Sequence, residues 1–142
     1  MGVIEGRTWL EQLHPSECWR LVAGEEIGRV AVLVDGAPEI YPVNHVVDRE
    51  TIVFRTDPGS KLRGLVRSPM VCFEVDGIDG TARKGWSVMV KGRAAELTSG
   101  DDVASAAELP LRYWPQGEKS HWIRIDPVEV TGRRIYRHRS ST

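Results

Sequence analysis

EIYPVNHVVDRETIVFRTDPGSKLRGLVR, Glu39 to Arg67, is the stretch from which the fold of this chain is read. It opens on an apolar-rich run, Ile40 to Val47, followed by a tight polar turn at Asp48-Arg49-Glu50. A second apolar run, Thr51 to Phe54, ends in Arg55-Thr56. Asp57-Pro58-Gly59 then breaks the chain, and Ser60 opens a short helix carrying Lys61, Leu62, Leu65 and Val66. The order is strand, turn, strand, polar loop, helix start. Arg55, Thr56, Ser60 and Lys61 fall on the two sides of one tight turn. Two cations, two hydroxyls and the free N–H groups of a helix start suit a phosphate there. A solvated turn with an N-capping serine accounts for the same residues.

Outward from this stretch the pattern is mostly strands. Gly28 to Val34 is nearly all apolar, which predicts a strand covered on both faces. Asp35-Gly36 is a hairpin signal, because such turns need a positive φ. Pro42 cannot donate to a ladder, so it belongs at an edge, a bulge or an opening in the wall. Met70 to Asp76 alternates, with Val71, Phe73 and Val75 on one face. Asp76 to Lys84 reads as a polar loop, and Glu74, Asp76 and Asp79 as its solvated carboxylates. Trp86 to Leu97 is the longest strand, with Trp86, Val88 and Val90 facing one way and Gly92 marking a bulge. His121 to Ile125 and Val128 to Arg137 read as two last strands. Helices are expected from about residue 16 to 23 with Ser16 as N-cap, over 60–67, and over 99–109 with Ser99 and Asp102 as a capping pair. Residues 1–13 read as a loose lead-in and 138–142 as a tail, and the basic stretch Arg133-Arg134 to Arg139 as a solvated edge rather than an anion site.

The pieces GRVAVLVDGAPEIYPVNHVVD, TIVFRTDPGSKLRGL, MVCFEVDGID and GWSVMVKGRAAEL span residues 28 to 97. In that order they resemble the pyridoxamine 5′-phosphate oxidase-like family of flavin-binding split β-barrels, in its nitroimidazole-resistance-like branch. Weaker similarity runs through ECWRLVA before them and HWIRIDPVEVTGRRI after them. The resemblance implies a mainly β fold, a six- to seven-stranded antiparallel Greek-key split barrel with short helices, as a single domain over 1–142. It further implies an FMN-dependent oxidoreductase acting on a small molecule, and a homodimer with cofactor sites at the subunit interface. The phosphate would sit on Arg55, Thr56, Ser60 and Lys61. Ile40, Tyr41, Pro42, Val43, Asn44 and His45 would run beside the flavin ring. Ser87 would reach it from a neighbouring strand, with Trp86 next to it. Trp122 is grouped with the cofactor site and, with Trp114, read as an exposed aromatic suited to a dimer interface. The chain departs from the pattern twice. His45 stands where many relatives have an aromatic residue, and Leu62 where a second basic residue is frequent. An F420-dependent reductase, a haem-binding or haem-degrading barrel with His45, His14 or His121 as ligand, and a non-catalytic flavin-binding protein are the alternatives.

Composition narrows the field further. The 142 residues allow one domain with a sizeable core, and glycine is frequent. A net charge of −1 gives no general attraction to nucleic acid or membrane. No apolar run approaches the ~18 residues of a membrane span, and the N-terminus lacks a secretory pattern. Cys18 and Cys72 lie far apart in apolar runs, which reads as two reduced core thiols and a cytoplasmic protein. The four histidines make no zinc-spaced set, so no metal is expected.

Overall fold

A computed structural model describes residues 3–5, 8–112 and 121–137. Eight strands and three helices follow in the order β1 (Val3–Glu5), β2 (Thr8–Gln12), α1 (Pro15–Ala23), β3 (Ile27–Val34), β4 (Ala37–Asp48), β5 (Thr51–Thr56), α2 (Ser60–Arg67), β6 (Met70–Asp79), β7 (Lys84–Glu96), α3 (Gly100–Ala107) and β8 (His121–Arg137). All pairings are antiparallel, in the order β1-β2-β8-β5-β4-β3-β6-β7, and β7 pairs back onto β8. Six strands therefore close a ring, and β2 with the short β1 continues the sheet from β8. This is the small split barrel expected, closed between β7 and β8 and open along parts of β4 and β8.

Local chemistry sets the joints. Asp35 (φ 50) and Gly36 (φ 81) form the β3–β4 turn, and Arg49 (φ 49) and Glu50 (φ 59) the β4–β5 turn. Two successive positive φ values match the turn type whose twist suits a tight hairpin. Gly92 falls at the register shift of β7 against β8, where an added Cβ would lie 2.4 Å from the Asp126 carbonyl oxygen. The bulge expected at Gly92 is thus present, and the close backbone approach explains why a glycine sits there.

The core lies inside the ring. Val30, Val32, Ile52, Phe54, Phe73, Val75, Val88, Val90, Ile123 and Ile125 point inward and are nearly sealed from solvent. α1 closes one end of the ring with Cys18, Trp19 and Val22. A second, smaller cluster lies outside it, where Val53 and Trp122 are covered by Ala106 of α3.

Several expectations need correction. β3 is not covered on both faces: Val30, Val32 and Val34 are buried, whereas Arg29 and Leu33 are exposed. The lead-in is not loose, because Thr8–Gln12 pairs with residues 133–137 of β8. The two last strands are one strand of 17 residues. Pro127 interrupts nothing, since β8 pairs with β5 only over 121–125 and with β2 only from Arg133, leaving that edge free of a partner strand at Pro127. The N-cap of α1 is His14, whose Nδ1 accepts from the Ser16 amide at 3.1 Å. Ser99 does cap α3, accepting from the Asp102 amide at 3.1 Å. The polar loop after β6 is shorter than expected, because β6 and β7 extend to Asp79 and Lys84. Trp114, His138 and the 138–142 tail lie outside the described residues.

His45 illustrates how α1 is held. Its ring is buried, with Nε2 donating to the Val22 carbonyl of α1 at 2.9 Å and its centroid 4.9 Å from that of Phe73. Burial holds its pKa below the usual value, against the raising effect of the Val22 hydrogen bond. The unfolded chain therefore takes up the proton first as pH falls. Stability should decline below about pH 6.5 until the folded pKa is passed. Urea midpoints measured across that range should show this loss in the wild type and lack it in His45→Gln.

Candidate functional site

Arg55 and Thr56 are the last two residues of β5, and α2 begins four residues after Thr56. The cap of α2 is Gly59 (φ 148), with no side-chain cap and no acidic residue in the first turn. A helix start of this kind leaves amide donors to be satisfied from outside. Lys61 lies over the Tyr41 ring, with Nζ 5.4 Å from the centroid. This contact brings the helix start against β4. Arg63 reaches back one turn to donate to Ser60 Oγ at 3.4 Å, and its charge acts on Tyr41. Tyr41 also donates from its hydroxyl to Glu39 at 3.1 Å. Burial, then that hydrogen bond and the Glu39 charge, raises the Tyr41 pKa. The sequence signal for Arg63 is its spacing three residues after Ser60, which places both on one helix face.

Arg55 and Trp122 meet on the outer side of the barrel, with the guanidinium 4.7 Å from the ring centroid. Trp122 is buried, contrary to its reading as an exposed aromatic, because α3 covers that side. Thr56 is also buried, and its hydroxyl donates to the Asp57 carbonyl at 3.1 Å. Its side chain therefore faces away from any ligand on the surface.

The β4 segment is placed as its proline requires. β4 pairs with β3 along 37–44 but with β5 only from His45 to Asp48, so Ile40, Pro42 and their neighbours border an open edge. Ile40 and Pro42 point outward, whereas Val43 and Asn44 are buried. His45 faces the core, as described above, and its ring meets Val22 and Phe73 instead of the open edge.

Ser87 and Trp86 are not brought to β4 within one chain. Two strands, β3 and β6, lie between β4 and β7, a span of about 14 Å at ~4.8 Å per strand. The outer-face row between them runs from Pro42 to Arg29 of β3, then to Glu74 of β6 and Met89 of β7. Asp76 faces Ser87 across the next pair. Arg29 Nη1 stands 3.3 Å from Asp76 and 3.6 Å from Glu74. Burial, then a hydrogen bond with Asp76 and its charge, pushes the Glu74 pKa up to about 7. Glu74 and Asp76 thus stand paired on one face of β6, tied to Arg29, whereas only Asp79 lies near the turn. The sequence does not show Arg29 as their partner, because Arg29 comes from a distant strand.

His121 Nδ1 and Glu96 are 2.7 Å apart at the end of β7 and β8. Among the described residues no group of three or more His, Cys, Asp or Glu gathers in metal-binding fashion. No helix there is long and apolar enough to cross a membrane.

The profile of the pyridoxamine 5′-phosphate oxidase family matches residues 14–134. The chain belongs to this family. The uncharacterized Mycobacterium tuberculosis protein Rv0080 is 36% identical over 129 residues, covering 87% of this chain and 84% of that one. The solved structure of the FAD binding protein from Mycobacterium smegmatis is 37% identical, with a TM-score of 0.73 over 87% of this chain and 98% of that chain. A Bacteroides thetaiotaomicron protein named for 5-nitroimidazole antibiotic resistance superposes with a TM-score of 0.72 over 94% of this chain and 95% of its own. At 12% identity it shares the fold and carries no further argument.

Proposed function

We propose that this member of the pyridoxamine 5′-phosphate oxidase family binds a flavin, with FMN as the simplest occupant, and acts as an oxidoreductase in the cytoplasm. The observation that carries the reading is the uncapped start of α2 beside the open edge of β4, with Lys61 over the Tyr41 ring and Arg63 on the Ser60 hydroxyl of the same turn. Exposed amides and cations at one helix end fit a phosphate, and the adjacent open edge offers backbone groups to a flat ring. The name of the M. smegmatis relative favours a flavin and allows FAD as well as FMN. A bound flavin supplies two-electron hydride chemistry, and the protein supplies position and exclusion of water.

In this reading Lys61, Arg55 and the amides of Ser60 and Lys61 hold the phosphate. Arg63 replaces the cation missing at Leu62. Ile40, Pro42 and the Asn44 backbone line the ring edge. The Thr56 and His45 side chains act from behind, by fixing the end of β5 and the seat of α1. A haem reading has less support, because the His45 ring is buried in the core against Val22 and Phe73.

The same reading calls for a second copy of the chain. Ser87 lies too far from Pro42 to share a ligand within one barrel. A twofold partner laid on the outer face would bring its own Ser87 and Trp86 to the β4 edge. That face carries exposed Leu33, Ile40, Met70 and Met89. Light scattering on the wild type should give twice the 15.9 kDa chain mass. Ile40→Glu should give a folded monomer with flavin affinity lowered at least ~10-fold. A monomeric wild type that still binds flavin would rule out the shared site.

A further inference from the structure

A cleft of about 580 Å³ opens on the outer face where the β6–β7 hairpin meets β8 and β2. Its size lies within the range of small-molecule sites. The apolar walls are Ile78, Ile135, Leu10 and the half-buried Trp86. Trp86 lies across Gly77, where any Cβ would fall 2.6 Å from the indole Nε1, so the ring is held in place from below.

The polar lining is uneven. Glu74 and Asp76 form one end, with Arg29 of β3 against both. Facing Glu74 and Asp76 from β7 are the uncharged Met89 and Ser87. Arg83 and Lys84 at the hairpin turn and Arg133 of β8 form the rest, against Asp79. Asp79 is occupied in accepting from the Ala82 amide at 3.0 Å. Arg29 offsets the single charge left when the two carboxyls share a proton. The cleft then has an excess of positive charge and a flat aromatic wall, with the shared proton held between Glu74 and Asp76. Oε1 of Glu74 is sealed from solvent without a hydrogen-bond partner, 3.6 Å from Arg29.

We propose that this cleft is a binding site for a flat aromatic anion, seated on Trp86 and Ile135, its charged group held by Arg133 and Lys84. Its role as the substrate site rests on the flavin reading; the binding itself does not. The aromatic body gains from burial against the indole and the aliphatic side chains. The anion gains charge-assisted hydrogen bonds, and Arg133 can offer two at once. Ionised Glu74 repels the ligand, so affinity should fall as pH rises through neutrality.

The test is calorimetric titration of the full-length protein, flavin-free and FMN-loaded, with 2-naphthoate and with neutral naphthalene-2-methanol. The naphthoate should bind both forms and be preferred over the neutral compound. Arg133→Gln should weaken naphthoate ~10-fold or more and leave the neutral compound unaffected. Wild-type affinity should drop several-fold between about pH 6 and pH 8, and Glu74→Gln should remove that drop. Absence of binding, or binding indifferent to both substitutions, would overturn the proposal. So would loss of naphthoate binding on loading FMN, which would make the cleft the seat of the flavin itself. If no flavin binds while naphthoate follows the expected pattern, the cleft stands and the flavin reading falls.

Discussion

Replacing Arg55 and Lys61 together by alanine is expected to weaken flavin binding by ~100-fold or more while leaving the fold intact. Each charge-assisted hydrogen bond to a phosphate contributes about 1.5–3 kcal/mol, and each 1.4 kcal/mol is tenfold in affinity. Lys61 lies outside the core, and Arg55 touches only the smaller outer cluster, through Trp122. Lys61 rests on Tyr41 at the surface, and Arg55 packs on Trp122. The loss should therefore appear in affinity and hardly in the unfolding midpoint. Lys61→Arg keeps the charge and should recover part of the binding. Arg67→Ala is the control. Arg67 sits at the far end of the same helix, 3.6 Å from Asp35, and its removal should change nothing. Fluorescence quenching of FMN on titration with each variant measures all of these. Unchanged affinity in the double variant would remove the phosphate from this site.

Phe73→Ala is expected to cost about 3–5 kcal/mol of stability, the range for emptying a buried aromatic position. Phe73 is fully buried on β6, between Val30 of β3 and Val90 of β7. Its ring meets the His45 ring edge-on and fills the space over Gly28. A Cβ on Gly28 would fall 2.2 Å from Phe73 Cζ, so the small residue and the large one are matched. The alanine leaves a void bounded by strands that pair on both sides and cannot collapse into it. It also removes the ring that fixes His45, which in turn holds α1 through Val22. Urea unfolding should show the loss directly, with a melting point lower by roughly 10 °C or more. A loss under about 1 kcal/mol would mean that the barrel interior repacks more freely than its strand pairing implies.

The ring of strands was legible because its signals are local. Asp35-Gly36 and Asp48-Arg49-Glu50 announce turns, Val71-Phe73-Val75 alternates, and Gly92 interrupts an otherwise regular strand. Features that depend on distant partners were not legible. Trp122 alternates with Arg124 as an exposed residue would, but α3 covers it from outside the barrel. Asp126-Pro127 resembles a strand break, yet the edge of β8 there has no partner strand to lose. Thr8–Gln12 is too short to show a period, and it becomes a strand because residues 133–137 offer it an edge. His14 displaces Ser16 as the cap because Pro15 supplies a helix-ready first residue. At the candidate site, Arg55, Ser60 and Lys61 were visible as a basic turn. Arg63, and the Arg29–Glu74–Asp76 group, needed the helix face and the cross-strand register to appear.

A flavin held by the start of α2 and the edge of β4 needs a second chain to complete its site. Titration of purified protein with FMN and with FAD, followed by absorbance and flavin fluorescence, tests it most directly. Saturable binding of at least one of them, at one flavin per chain in a dimer, is the expected result. Failure of both flavins to saturate the protein would contradict it.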